Sequence, residues 1–413
     1  MRKEDRLQHR LNGRCSREEG HTWTVTDSHL TVGGAAILLQ ENGFDPLVVA
    51  LFNHDELRHP HQPFGPHRYQ STARVLQDRL DVLGFDTDHA RAELDAAVDD
   101  WHESQPSISL FTEEEAPRST STTLLASAQR YVVGDDGTVG DASGVPLDRI
   151  DPRSQVRLLI DLAPTGDIPV SYVIREHLDH DQLEPCPDLA GEVRRAAASR
   201  PTRTTPTIVL TEGRSDARHL RSALGVTHPH LVGHITFMDF EVKPQGGASA
   251  LLTLAKGLAA AGVGDRFVAI ADNDTAARVT LESDYHLPSN FRMLRYPELA
   301  LLADYPTLGP QSEGTVNVDL NGRAGSLEMY FGRDVLTDDN GDLFPVQWTG
   351  YESKVGAYQG SLSSADKAHA QARFQTKVEQ YHAGIVNPDA DWDGVRSIID
   401  TIVRAFTNQA GDQ

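Results

Sequence analysis

The sequence predicts an α/β protein. A doubly wound parallel sheet is preceded by a mixed α/β region and followed by an α-rich extension. Three observations carry this. From Thr207 onward, short apolar runs alternate with helix-length amphipathic stretches, the grammar of βαβ units. Between His21 and Arg195, strand-like and helix-like patterns mix without that regularity. Beyond Ser364 the periodicity is helical. The implied boundaries are a disordered leader at 1–20, an N-terminal domain at 21–198 and a linker at 199–206. A sheet domain follows at 207–335, and a mostly helical extension at 336–413.

Residues 1–20 are dense in charge and almost free of apolar periodicity, hence the leader. Thr22–Thr26 and Leu30–Val32 alternate as short strands before the Gly33-Gly34 turn. Asp45-Pro46 is a helix start, with helix expected over 45–58 and a His/Pro loop over 59–68. Residues 72–83 place Val75, Leu76, Leu80 and Leu83 on one helical face, stopped by Gly84. A second amphipathic helix is expected at 86–102 and a third at 153–163, ended by Pro164. A loop at 113–122 and a Gly/Asp-rich hairpin at 131–145 lie between them. Ser199–Pro206 reads as the linker.

Strands are then expected at 207–211, 234–240, 266–271 and 291–296. Helices are expected at 214–224 (stopped by Gly225), at 247–261 (stopped by Gly262) and from 274. The tail reads as helices at 364–383 and 391–407.

Composition narrows the function classes. The 413 residues carry a net charge of −22, unlike a dedicated nucleic-acid coat, though a local basic groove is compatible with it. Cys15 and Cys186 are the two cysteines, too few for a disulfide framework or a four-cysteine zinc ribbon. A reducing, cytoplasmic setting follows as the expectation. No apolar run reaches membrane-helix length, and no apolar segment follows the first ten residues as a secretory signal would need. There is no GxxxxGK[ST] and no GxSxG, so neither a P-loop ATPase nor a serine hydrolase is supported.

Two acidic signals sit at predicted strand ends, where open α/β sheets place their ligands. Glu212-Gly213-Arg214-Ser215-Asp216 follows strand 207–211, and Asp272-Asn273-Asp274 follows strand 266–271. Converging carboxylates repel unless a cation sits among them, and oxygen-only donors suit Mg²⁺ or Mn²⁺. The bland alternatives are helix-start carboxylates answering the helix dipole, with Asp274 simply capping its helix. Arg214 and Arg218 share a helix face, extended by Arg221, and either contact nucleic-acid phosphate or sit in solvent. Gly246-Gly247 reads as an ordinary strand-to-helix turn ahead of a phosphate-binding one.

This pattern resembles the Toprim domain, whose strand-end Glu and DxD pair bind divalent metal for phosphoryl transfer. The resemblance continues through Asp239-Phe240-Glu241, Gly246-Gly247-Ala248 and Ala271 to Ala276. It extends through Tyr305-Pro306-Thr307, Gly309-Pro310, Asn321 to Tyr330, Val346-Gln347-Trp348 and Tyr358-Gln359-Gly360. Upstream, His29–Gly34, Asp45–Phe52 and Asp78–Phe85 are similar to the N-terminal domain of HEPN/Toprim N-terminal-domain proteins. The similarity spans roughly residues 21–375.

It implies catalytic and metal roles for Glu212, Asp272 and Asp274, with Asp216 as a supporting or second-metal carboxylate. It implies Glu328 as a further metal carboxylate, and Lys367, ahead of Lys354, as the cation that stabilises the phosphorane. Ala277 stands where many members have Gly, which points away from the topoisomerase–primase branch and toward OLD-like nucleases; Ser361 stands where members often have Glu after Tyr-Gln-Gly, so no acidic role carries over to that position. The implied activity is an Mg²⁺- or Mn²⁺-dependent nuclease acting on nucleic acid, DNA ahead of RNA, in a setting such as antiphage defence. A homodimer or a partner protein is compatible with it.

Two other classes stay open. One is a nucleic-acid-sensing or partner-binding module that does not cleave. The other is a metal-independent HEPN ribonuclease using Arg175 and His180 on a helix, although Arg-to-His spacings of this kind recur several times in the chain. His54, His59, His61 and His67 crowd one segment but have no cysteine beside them, and read as a solvated loop rather than zinc ligands.

Overall fold

The computed structural model describes residues 14–16, 22–32, 35–41, 45–58, 67–104, 149–162, 166–177, 190–191, 193–194, 206–238, 247–309, 314–338, 340–353 and 356–407. The chain divides into two compact units, one up to Thr204 and one spanning Thr205–Phe406.

The first unit is built on an antiparallel sheet. Its strands are β1 (Arg14–Ser16), β2 (Thr22–Val32), β3 (Ala35–Glu41), β4 (Leu57–Arg58), β5 (His67–Thr72) and β6 (Pro169–His177). They run in the order β1-β2-β6-β5-β4, with β3 also paired to β2. The helices are α1 (Pro46–Val49), α2 (Ala73–Leu83), α3 (Thr87–Ser104) and α4 (Pro152–Asp161). Leu30, Tyr69, Val170 and Tyr172 from the strands meet Leu76, Leu80 and Leu159 from the helices in one core.

The motif Asp78–Phe85 acquires a physical meaning here. Arg79 is 1% exposed, and its guanidinium donates to the Leu51 carbonyl at 2.8 Å and to Glu56 Oε2 at 2.7 Å. Asp81 pairs with Arg157 at 2.5 Å, and Arg157 also meets Asp161 at 3.0 Å. Gly84 ends α2 in the left-handed region, at φ 75°. Phe85 lies under the Arg153 guanidinium, 4.0 Å from its ring centre.

Several expectations change in this unit. Arg14–Ser16 of the presumed leader pairs with Thr22–Thr24 as a strand. The two expected short strands are one strand carrying register shifts, whose pairing with β6 holds both ends. The 45–58 segment forms only a one-turn helix and a 3-10 turn at His54–Glu56 before β4. Arg175 lies on β6, not on a helix. His180, the 113–122 loop, the 131–145 hairpin and Gly33-Gly34 lie outside the described residues, as do Ser199 to Thr205 of the expected linker.

The second unit carries a four-stranded parallel sheet. Its strands are β7 (Thr207–Thr211), β8 (Ile235–Phe237), β9 (Phe267–Ala271) and β11 (Phe291–Arg295). The crossover helices are α5 (Arg214–Thr227), α6 (Ala248–Ala260) and α7 (Thr275–Leu281). A two-residue strand, β10 (Asn273–Asp274), precedes α7. The order β11-β9-β7-β8 places β7 and β9 side by side, so chain order reverses between them. All five residues of β9 are buried, as expected of a central parallel strand.

Beyond the parallel sheet come β12 (Tyr305–Leu308), β13 (Thr315–Val318) and β14 (Ala324–Gly325). A short helix, α8 (Arg333–Leu336), leads to the hairpin β15 (Val346–Glu352) and β16 (Ala357–Ser361). The helices α9 (Ser364–His382) and α10 (Asp393–Val403) then pack on α5. Residues 336–406 thus belong to the same compact unit as the parallel sheet, and they include a hairpin as well as helices. Gly225 does not stop α5, because Leu224 and Val226 on either side of it are buried and the helix runs to Thr227. Gly262 does stop its helix, at φ 70°.

Candidate functional site

β7 and β9 pair in parallel with Thr211 opposite Ile270, so the residues that follow each strand emerge at one edge. These are Glu212 and Asp272. The Asp272 backbone N–H donates to Glu212 Oε1 at 2.9 Å, which ties the two strand tips together. Asp274 caps α7 by accepting from the Ala277 N–H at 2.8 Å, so its expected capping role is real. Asp216 lies in the first turn of α5 and accepts from Ser215 Oγ at 3.2 Å.

Glu328 reaches this edge through an unusual route. β14 pairs antiparallel with β10, Gly325 opposite Asn273 and Ala324 opposite Asp274. A Cβ at Gly325 would stand 2.9 Å from the Asn273 carbonyl oxygen, so the approach requires glycine. The 3-10 turn Leu327–Tyr330 follows directly and carries Glu328, which is 7% exposed. Its Oε2 accepts from Ser326 Oγ at 2.9 Å and its Oε1 from Gln371 Nε2 at 2.7 Å.

Asn273, the middle residue of the DxD, is wholly buried and works as a latch. Its Oδ1 accepts from the Gly322 N–H at 2.9 Å and from Arg295 at 3.1 Å. Its Nδ2 donates to Tyr330 Oη at 3.1 Å and to Asn321 Oδ1 at 3.2 Å.

The electrostatics record burial and mutual repulsion among these carboxylates. Burial, then the charges of Asp274 and Asp216, push Glu212 up to about 7 against the Asp272 hydrogen bond. Burial and the charge of Glu328 push Asp216 up to about 6, while Ser215, the Gly213 backbone and Lys367 hold it down. Burial, followed by Glu212, Asp216, Asp274 and Glu328, raises Asp272 well above the carboxylate range. Burial also raises Asp274, opposed by the Ala277 and Ala276 amides and by Lys367. Tyr296, buried and under the same field of charge, stays a protonated phenol.

Lys367 therefore stands close enough to act on both Asp216 and Asp274. It shares a face of α9 with Gln371, one turn on. Arg214, Arg218 and Arg221 are exposed on α5, and Arg221 donates to the Phe237 carbonyl at 2.8 Å. Gly247 caps α6 at φ 103°. Lys354, Gly246, His59 and His61 lie outside the described residues. His54 sits in a 3-10 turn and His67 begins β5.

Among the described residues, no three His, Cys, Asp or Glu side chains already converge as a closed set of metal ligands. The donor set nonetheless suits Mg²⁺, which is held through one or two carboxylates plus water and substrate phosphate rather than an all-protein cage. Glu212, Asp272 and Asp274 would hold it. Sequence reasoning missed Asn273, Ser326 and Gln371. For Gln371 a signal existed in its four-residue spacing from Lys367.

Residues 26–174 match the family described as HEPN/Toprim N-terminal domain 1. That stretch of the N-terminal unit is a HEPN/Toprim N-terminal domain. The family's name places this domain ahead of HEPN or Toprim modules, and the match leaves the parallel-sheet unit to be read from its own residues. Comparison with curated proteins and with solved structures gives no significant match. No described helix is long and apolar enough to cross a membrane.

Proposed function

We propose that the parallel-sheet unit is an OLD-like Toprim domain that hydrolyses nucleic-acid phosphodiesters, DNA ahead of RNA, with Mg²⁺ or Mn²⁺. The observation that supports this reading is the juxtaposition of Glu212 and Asp272 at neighbouring strand tips, where chain order reverses. A bound divalent cation supplies Lewis acidity toward the phosphoryl oxygens. Glu212, held at the strand tip by the Asp272 N–H, would serve either as a ligand of that cation or instead as a general acid/base toward water. Lys367 places a positive charge beside Asp216 and Asp274, where negative charge builds on the phosphoryl group. Arg214 and Arg218, exposed on α5, would contact flanking phosphates. Ser326 and Gln371 hold Glu328 in position. Defence against foreign nucleic acid is the proposed setting.

Supercoiled plasmid and structured RNA, each with Mg²⁺, Mn²⁺ or EDTA, test the reading beside Asp272→Asn. Metal-dependent cleavage by the wild type and none by the variant is the expected result. Cleavage that survives both chelation and Asp272→Asn overturns it and favours a metal-independent ribonuclease. Binding without turnover in any metal favours a sensing module.

A further inference from the structure

The hairpin β15–β16 exposes aromatic rings beside the acidic edge. Tyr351 and Tyr358 are directly opposite across the hairpin, each 59% exposed, with ring centres 5.0 Å apart. Trp348 joins them, 6.0 Å from Tyr358. Residues three apart on a regular strand face opposite ways, so Trp348 and Tyr351 would part company. The register shift between Trp348 and Gly350 restores the parity and returns both rings to one face. Gly360 lies opposite Trp348, where a Cβ would stand 3.1 Å from the indole, so the ring rests on bare backbone.

The hairpin is anchored at the site itself. Thr275 Oγ1, one residue past Asp274, donates to the Tyr358 carbonyl at 3.2 Å. β16 is the edge strand of the sheet β13-β12-β15-β16, and on the ring-bearing face the two tyrosines are exposed with Trp348 half-buried beside them.

We infer that Trp348, Tyr351 and Tyr358 form a stacking platform for unpaired nucleobases of the strand whose phosphodiester enters the acidic site. This rests on the nuclease reading of that site. Charge argues for bases as the occupant. The described strands of the hairpin contain no Lys or Arg, and the chain carries −22 overall, so affinity through phosphate neutralisation is weak on this face. Aromatic faces bind bases without needing positive charge, and they do so only when the bases are unstacked. The proposal therefore specifies single-stranded or locally opened substrate, with binding that depends weakly on salt.

The test is equilibrium binding of the full-length protein, in EDTA, to a fluorescein-labelled oligo-dT and to a blunt duplex of equal length. The variants are Tyr351→Ala, Tyr358→Ala and Tyr358→Phe. Tyr381→Ala, an exposed tyrosine on α9, is the control. Each alanine at 351 or 358 is expected to weaken oligo-dT binding about fivefold or more, with phenylalanine restoring it and duplex binding unmoved. Oligo-dT should also quench wild-type tryptophan fluorescence, and Trp348→Phe should remove that quenching, a readout that does not depend on the alanine variants folding.

Unchanged oligo-dT affinity in both alanine variants overturns the inference, as does an equal loss in Tyr381→Ala. So does concentration-dependent dimerisation through this edge with no oligo-dT binding. Failure of this inference alone shows as metal-dependent plasmid cleavage with indifferent tyrosines. Failure of the nuclease reading alone shows as tyrosine-dependent oligo-dT binding without cleavage in any metal.

Discussion

Replacing Glu212 by Gln tests whether its carboxylate is buried beside other carboxylates. In the folded protein Glu212 titrates at about 7 against an ordinary 4.5. Between those values the native state binds a proton that the unfolded chain has released. The stabilisation linked to Glu212 is thus fully present below its unfolded pKa and is lost as pH rises through about 7. That displacement corresponds to about 3 kcal/mol of native-state penalty at alkaline pH. Glutamine keeps an oxygen to accept the Asp272 N–H and removes the charge. Urea unfolding in EDTA at a series of pH values measures the difference. Wild type and Glu212→Gln should match near pH 4, and the variant should gain by up to about 3 kcal/mol near pH 8. The comparison cancels every titrating group that Glu212 does not touch. Parallel pH profiles for the two proteins would refute the burial of Glu212 beside Asp274 and Asp216.

Three further outcomes follow from the packing. Mg²⁺ should raise the Tm more at pH 8 than at pH 6, because binding requires ionised carboxylates, and Asp272→Asn should abolish the rise in thermal-shift measurements. Gly325→Ala should cost about 1–3 kcal/mol by overpacking against Asn273, with metal-dependent activity falling further than stability accounts for. Lys377→Met should cost about 3–5 kcal/mol in denaturant unfolding. It strands Asp334, 2.8 Å from the ammonium, and removes the donor to the Phe331 carbonyl at 3.0 Å.

The parallel sheet was legible because its signals are local. Apolar runs such as Phe267–Ala271 have no reading other than a buried segment, and Gly84 and Gly262 stop their helices by backbone conformation. Glu212 and the DxD were legible for the same reason, since each directly follows such a run. What escaped the sequence depends on distant partners. Gly225 reads as a stop until the burial of its neighbours is known. β6 was missed, and Arg175 on it was given to a helix. The hairpin β15–β16 shows no clean apolar alternation because Gln347, Tyr351 and Tyr358 face outward. Arg79 and Lys377 look like solvent-facing charges in a helical pattern, yet both are buried and fully engaged. Asn273 is invisible for a further reason: the DxD motif treats its position as arbitrary.

The latch at Asn273 sets an order of events during protein synthesis. Its partners Arg295, Asn321, Gly322 and Tyr330 are all translated after it, and Gln371, which steadies Glu328, later still. A growing chain that has already emerged past Asp274 carries the two strand-tip signals but not the segment that delivers Glu328, nor the helix that brings Lys367. A truncated product of a stalled ribosome therefore displays an acidic edge without its companions. On the proposed activity, a protein that cuts nucleic acid acquires its complete set of side chains only once the segment through Lys367 and Gln371 has been made, and shorter fragments lack it.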